Sequence, residues 1–147
     1  MSYQHILVPV DDSELSEIAT RHALSIAQAF GSRVTVMSVV AVDPFVGVDF
    51  YKVAPAITNH FMDAEAHAQK HLEQIQQQFL AHQIDTDVKI IREEPTATGI
   101  LNIADEVNAD LIIMGSHGRS GLKKFVLGSV AQKVASESVV PVMIVKK

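Results

Sequence analysis

Residues 115–129 read GSHGRSGLKKFVLGS and hold four of the chain's seven glycines, with Arg119, Lys123 and Lys124 and no acidic residue. Glycine loses more backbone freedom on folding than any other residue, so a cluster of it marks a place where main chain must approach something closely. Glycines and cations in one loop suit a small anion. The loop follows the apolar run DLIIMG at 110–115 and precedes a helical pattern that opens at Ser129. Backbone N–H groups released by the glycines, together with the helix N-terminus, would then cradle a phosphate. Ser129 is expected either to cap that helix or to turn its hydroxyl to a phosphate oxygen. The spacing is neither GxxxxGK[ST] nor GxGxxG, so this is a phosphate loop of another kind. Far upstream, residues 8–13 read VPVDDS, which places the carboxylates of Asp11 and Asp12 just after another apolar run.

Composition narrows the partners. A chain of 147 residues, 48% apolar and 20% charged, is ordinary globular material of one-domain size, and residues 1–147 are expected to form a single domain. The net charge of −5 disfavours nucleic acid and anionic lipid as partners. The basic loop is the local exception, and it fits a small anionic ligand better than a polyanion. There is no cysteine, which removes disulfides and thiolate metal sites. The amino end, MSYQHILVPVDD, carries neither a basic leader nor a small-residue cleavage site, and no apolar run reaches transmembrane length. A cytoplasmic location without membrane insertion is expected.

The elements that must position the two loops follow from periodicity. Residues 5–10 (HILVPV) read as a strand leading into Asp-Asp-Ser cap chemistry. Leu15, Ile18, Ala19, Ala23, Ile26, Ala27 and Phe30 recur at three and four, an amphipathic helix stopped by Gly31. Residues 33–40 (RVTVMSVV) read as a second strand, and 41–56 as an irregular excursion containing Pro44, Gly47 and Pro55. Phe61, Ala64, Ala68, Leu72, Ile75 and Phe79 trace a long helix ending near Gln83. A third strand at 87–92, a helix capped by Thr96 or Thr98, the fourth strand at 110–115, a helix at 129–137 and a fifth strand at 141–145 complete the chain. Apolar strands alternating with helices predict a parallel sheet buried on both faces, doubly wound, in the order 3-2-1-4-5. Ligands of such sheets bind beyond the strands' carboxyl ends where strand order reverses, here between the first and fourth strands. That crevice unites the Asp11 loop with the glycine loop.

Gly115, Gly118 and the pair Gly128-Ser129 have the form G-x2-G-x9-G-[ST]. With VPVD at 8–11, DLIIMGSHGRSG at 110–121, LGSVAQKV at 127–134 and PVMIV at 141–145, the whole chain resembles the universal stress protein family. The resemblance implies a flavodoxin-like, Rossmann-like domain of the branch that holds ATP or AMP, usually a homodimer. It implies that Pro9, Val10 and Asp11 line the adenosine side, and that Val39 helps wall the adenine. Met114, Gly115, Ser116, Gly118 and Arg119 would follow the ribose and phosphates, and Gly128, Ser129 and Val130 would close the phosphate end. The expected ligand is ATP, ADP or AMP, with or without Mg²⁺. Valine at Gly118 or Gly128 is expected to block binding and leave the fold largely intact.

Other readings have less to stand on. A phosphorylation receiver needs an aspartate at the end of its third strand, where this chain has Ile91-Arg92-Glu93-Glu94. A flavin wants aromatic walls, and Phe125 alone in the two loops offers one. His60, Asp63, His67 and His71 share one side of the long helix, but a solvated face uses the same residue types. His117 lies in the loop without an evident base or orienting partner. Phosphoryl transfer needs a residue that positions the nucleophile, and none is apparent. A regulatory nucleotide-binding module acting on an unknown protein partner is therefore expected, with a slow ATPase or adenylate-transferring enzyme as the alternative. The fifth strand is apolar throughout and falls at a sheet edge, which predicts a homodimer through residues 141–145.

Overall fold

The computed structural model describes residues 2–40, 55–92, 95–118 and 126–147. Five strands, β1 (His5–Pro9), β2 (Arg33–Val39), β3 (Thr86–Ile91), β4 (Leu111–Gly115) and β5 (Val142–Val145), form one sheet in the order β3-β2-β1-β4-β5. Every pairing is parallel. Parallel neighbours need long crossovers, and four helices supply them: α1 (Glu14–Phe30), α2 (Pro55–Ala81), α3 (Thr96–Glu106) and α4 (Ser129–Glu137). The expected architecture and strand order are both present.

Side-chain alternation sorts the core into two layers. Ile6, Val8, Val34, Val36, Leu111 and Ile113 pack on Ala19, Ala23 and Ala27 of α1 and on Leu72, Ile75 and Phe79 of α2. Leu7, Met37, Ile112 and Met114 point the other way, onto Ala97, Ile100 and Ile103 of α3 and Ala131 and Val134 of α4. Because both faces are covered, the strands read as continuous apolar runs rather than alternating ones. The alanine stripe of α1 lets its axis approach the sheet closely, which brings the helix's first turn against the end of β4.

Helix ends differ from the sequence reading where caps were hard to read. Ser13 caps α1, its side chain accepting from the Ser16 N–H, and Gly31 ends the helix in the left-handed conformation at φ 67°. The second helix begins at Pro55 instead of near Phe61. A proline at the first helical position lacks only an N–H that would have been unpaired anyway, so Pro55 opens the helix rather than belonging to a breaker. α2 ends at Ala81 through Gln83 in the left-handed region, with the Ile84 N–H on the Phe79 carbonyl at 3.1 Å. Neither Thr96 nor Thr98 caps α3: the N-cap is Pro95, without a side-chain hydrogen bond. Among the described residues no helix is long and apolar enough to cross a membrane.

His5 is the buried titratable group of this framework, only 6% exposed on the central strand. Its Nε2 lies 2.7 Å from the Thr35 Oγ1 on β2. Burial, and then the nearby Arg33 charge, push its pKa below the ordinary 6.5. The unfolded chain therefore binds this proton more readily than the folded one, so the stability His5 contributes is full above 6.5 and declines as pH falls through the lowered folded value. Urea midpoints measured from about pH 8 to about pH 5 should fall with acidity, and more gently in His5→Gln. Identical slopes in the two proteins would exclude His5 as the source.

Candidate functional site

The register brings the ends of β1, β2 and β4 to one side of the sheet. The ladder continues past β1, with the Val10 N–H on the Met37 carbonyl at 2.8 Å, and past β4, with the Ser116 N–H on the Val145 carbonyl at 2.9 Å. Pro9, Val10 and Asp11 thus leave the sheet beside Met114, Gly115 and Ser116, with Val39 at the end of the neighbouring β2. Strand order reverses between β1 and β4, and the Asp11 and glycine loops both leave the sheet at this point.

The two loops touch through atoms where glycines leave room. A Cβ on Gly118 would stand 2.6 Å from the Asp11 Oδ2. The other carboxylate oxygen, Oδ1, accepts from the Ser13 N–H at 2.9 Å and from the Ser16 hydroxyl at 2.8 Å. At Gly115 a Cβ would meet the Leu15 Cβ at 2.9 Å, so a side chain there would push the start of α1 off the end of β4. At Gly128 it would meet the Ser116 carbonyl oxygen at 3.0 Å and the His117 Cα at 3.1 Å. The Gly128 N–H donates to that same Ser116 oxygen at 2.7 Å, clasping the two ends of the loop together.

The glycines are therefore needed first for the chain's own close packing. Read from sequence, they promised room for an anion; in the structure the space beside three of them is filled by the protein. Valine at Gly128 would press on the Ser116–His117 backbone, so its effect on the fold depends on whether that backbone can give by a few tenths of an ångström.

Side-chain directions divide the remaining positions. Val10 is buried in the α1/α2 layer and its N–H is spent on Met37, which leaves its carbonyl as what it can offer a ligand. Met114, Val39 and Val130 pack in the α3/α4 layer, the latter two partly buried. Ser129 is exposed at the first turn of α4 and does not cap it; the N-cap is Gly128, which has no side chain to bond the helix end. Ser116 and His117 stand together, Oγ to Nδ1 at 3.2 Å. Arg119, Lys123, Lys124 and Phe125 lie outside the described residues, as do Glu93 and Glu94 and most of the 41–56 excursion.

The model of the universal stress protein family matches residues 2–146. The chain belongs to that family. A curated member, universal stress protein MJ0531 of Methanocaldococcus jannaschii, is 34% identical over 99% of this chain and 83% of its own length. The solved structure of universal stress protein UspA from Lactobacillus plantarum superposes with a TM-score of 0.85 at 25% identity, covering 99% of each chain. A universal stress protein solved in complex with cAMP superposes at 0.72 with 25% identity, over 99% of this chain and 98% of that one. One from Archaeoglobus fulgidus, solved with dAMP, shares the fold at a TM-score of 0.67, with 22% identity over 99% of this chain and all of that one.

Two other features stand apart from the switch point. A cleft of about 660 Å³ opens at the amino ends of the strands between Gln4, Phe30, Arg33, His82 and Asp85. It lies at the opposite end from the strand-order switch, and its size alone does not make it the functional site. On α2, His60, Asp63 and His67 are exposed and His71 is half-buried. Among the described residues no group of three or more His, Asp or Glu side chains is placed to hold a metal ion.

A direct consequence concerns Gly128. Gly128→Val must move the Ser116–His117 backbone and is expected to cost about 1–3 kcal/mol of stability. Gly118→Ala meets no backbone but turns the Asp11 carboxylate against its bonds to Ser13 and Ser16, and should cost less, about 1 kcal/mol or under. Equilibrium urea denaturation of both variants checks this, and equal stability of the two would contradict the packing described.

Proposed function

We propose that this universal stress protein is an adenine-nucleotide-binding regulatory module that works as a homodimer, with little or no catalytic turnover. The carrying observation is the convergence at the switch point: Asp11 on one loop packs against Gly118 on the other, beside an α4 N-terminus whose N-cap is Gly128. A carboxylate suits the hydroxyl and amino donors of a nucleoside, and a helix N-terminus suits its phosphates. Pro9, Val10, Asp11 and Val39 would take the adenosine, and Met114, Gly115, Ser116, Gly118 and Arg119 would run along the ribose and phosphates. Gly128, Ser129 and Val130 would close the far end. The family member solved with cAMP supports a ligand of this class.

ATP is the favoured ligand, with AMP and ADP as its alternatives. We place any Mg²⁺ on the phosphates: the Asp11 Oδ1 is already engaged by Ser13 and Ser16, and no described cluster of three ligating side chains stands ready. Extraction of the purified protein should release an adenine nucleotide, and calorimetry should detect ATP binding that Gly118→Val abolishes. Turnover should fall far below the roughly 1–10³ s⁻¹ of ordinary enzymes. Hydrolysis at such rates, lost in Ser129→Ala, would favour the enzyme reading instead.

The dimer is proposed from the contrast between the two sheet edges. β3 carries Asp87 and Lys89, paired with Arg33 and Glu106, which is how an edge is normally kept from associating. β5 is Val-Met-Ile-Val, with Met143 37% exposed and Val139 just before it 91% exposed. Two copies meeting through β5 would cover this edge about a two-fold axis. Light scattering should give a dimer that Met143→Lys combined with Ile144→Glu disrupts. A wild-type chain that stays monomeric at high micromolar concentration refutes it.

A further inference from the structure

Asp11 is held by its own loop more firmly than a helix start requires. The cap of α1 is already provided by Ser13, whose Oγ accepts from the Ser16 N–H at 3.3 Å. Ser16, one turn into the helix and 6% exposed, then makes a second set of bonds. Its Oγ accepts from the Asp11 N–H and donates to the Asp11 Oδ1, both at 2.8 Å. A hydroxyl has one proton, and because the Asp11 N–H takes a lone pair, that proton is directed to the carboxylate. The Ser13 N–H also donates to Oδ1, and these two donors from the start of α1 fix the plane of the group. The other oxygen, Oδ2, is thereby turned across the switch point to Gly118.

We propose that Ser16 is a positioning residue of the nucleotide site: its hydroxyl sets the Asp11 carboxylate so that Oδ2 faces the Gly118 side of the crevice and accepts from a hydroxyl or amino group of the ligand. This rests on the nucleotide-binding reading above. The terminal torsion of an aspartate is broad, so an Asp11 without Ser16 samples orientations that must be frozen when ligand binds. Ser16 removes that loss in advance. It is buried and touches no ligand itself, and its effect on affinity passes through Asp11.

A double-mutant cycle tests this. ATP affinity is measured by calorimetry for wild type, Ser16→Ala, Asp11→Ala and the double variant, with urea denaturation of each to confirm folding. Ser16→Ala is expected to weaken ATP binding about five- to tenfold in the wild-type background and to have no further effect once Asp11 is alanine. A capping or packing role would instead lower affinity by the same factor in both backgrounds, and that result overturns the proposal, as does unchanged affinity in Ser16→Ala. Should Ser16→Ala unfold, Ser16→Cys, close in size but a weak donor, is carried through the same cycle with a smaller loss expected.

Inosine triphosphate and 2′,3′-dideoxy-ATP identify the donor. The analogue that lacks the group met by Oδ2 loses its sensitivity to Ser16→Ala. If both analogues keep that sensitivity, Oδ2 meets neither group and the proposal fails. A wild-type chain that binds none of these nucleotides overturns the reading of the site itself, whereas ATP binding that is indifferent to Ser16 overturns this inference alone.

Discussion

A parallel sheet cannot leave a face to solvent, because each of its strands is joined to the next by a crossover that lies against one face or the other. In this chain that constraint is met by α1 and α2 on one side and α3 and α4 on the other, each presenting a stripe of alanine, isoleucine, leucine or valine. The helices change sides between the two halves, so strand order reverses next to β1. At that reversal β1 leads into α1 on one face and β4 leads on to α4 on the other, the place in such sheets where ligands bind. Strand order, core composition and the place of the candidate site all follow from covering both faces.

Close approach is what turns that place into a defined arrangement. Small residues let main chain and helix meet at distances a side chain would forbid: Leu15 at Gly115, the Asp11 carboxylate at Gly118, and the Ser116–His117 backbone at Gly128. None of these three glycines is among the positive-φ residues, where Gly31 alone of the described glycines is found. They are required by proximity, not by backbone conformation. The proposed nucleotide site is thus built from the same contacts that close the fold at the carboxyl ends of the strands, and substitutions there are expected to affect stability together with the proposed binding.

The edges of the sheet carry opposite chemistry. Asp87 and Lys89 on β3 sit in ion pairs at the surface, worth little in stability but awkward for a second strand to pair with. β5 presents no charge until Lys146 and Lys147. A molecule that kept both edges from associating would be expected to charge both, and the asymmetry is the physical content of the proposed dimer.

Much of this was legible in the amino-acid order. The continuous apolar strands, the three-and-four spacing of α1 and the stop at Gly31 are local patterns whose period is set by backbone geometry, and they determined the elements and their doubly wound arrangement. The motif positions around Gly115, Gly118 and Gly128 likewise pointed to the crevice and to the family. Local sequence could not tell a proline that breaks a helix from Pro55 opening one, nor that Pro95 and Gly128, rather than Thr96 or Ser129, take the N-cap positions. Those outcomes depend on where the preceding chain enters. Only tertiary structure decided that Val10 turns into the core, that Gly118 faces a carboxylate, and that Ser16 holds Asp11. Each is a contact between segments or side chains whose direction is set by packing, and sequence spacing carries no record of it.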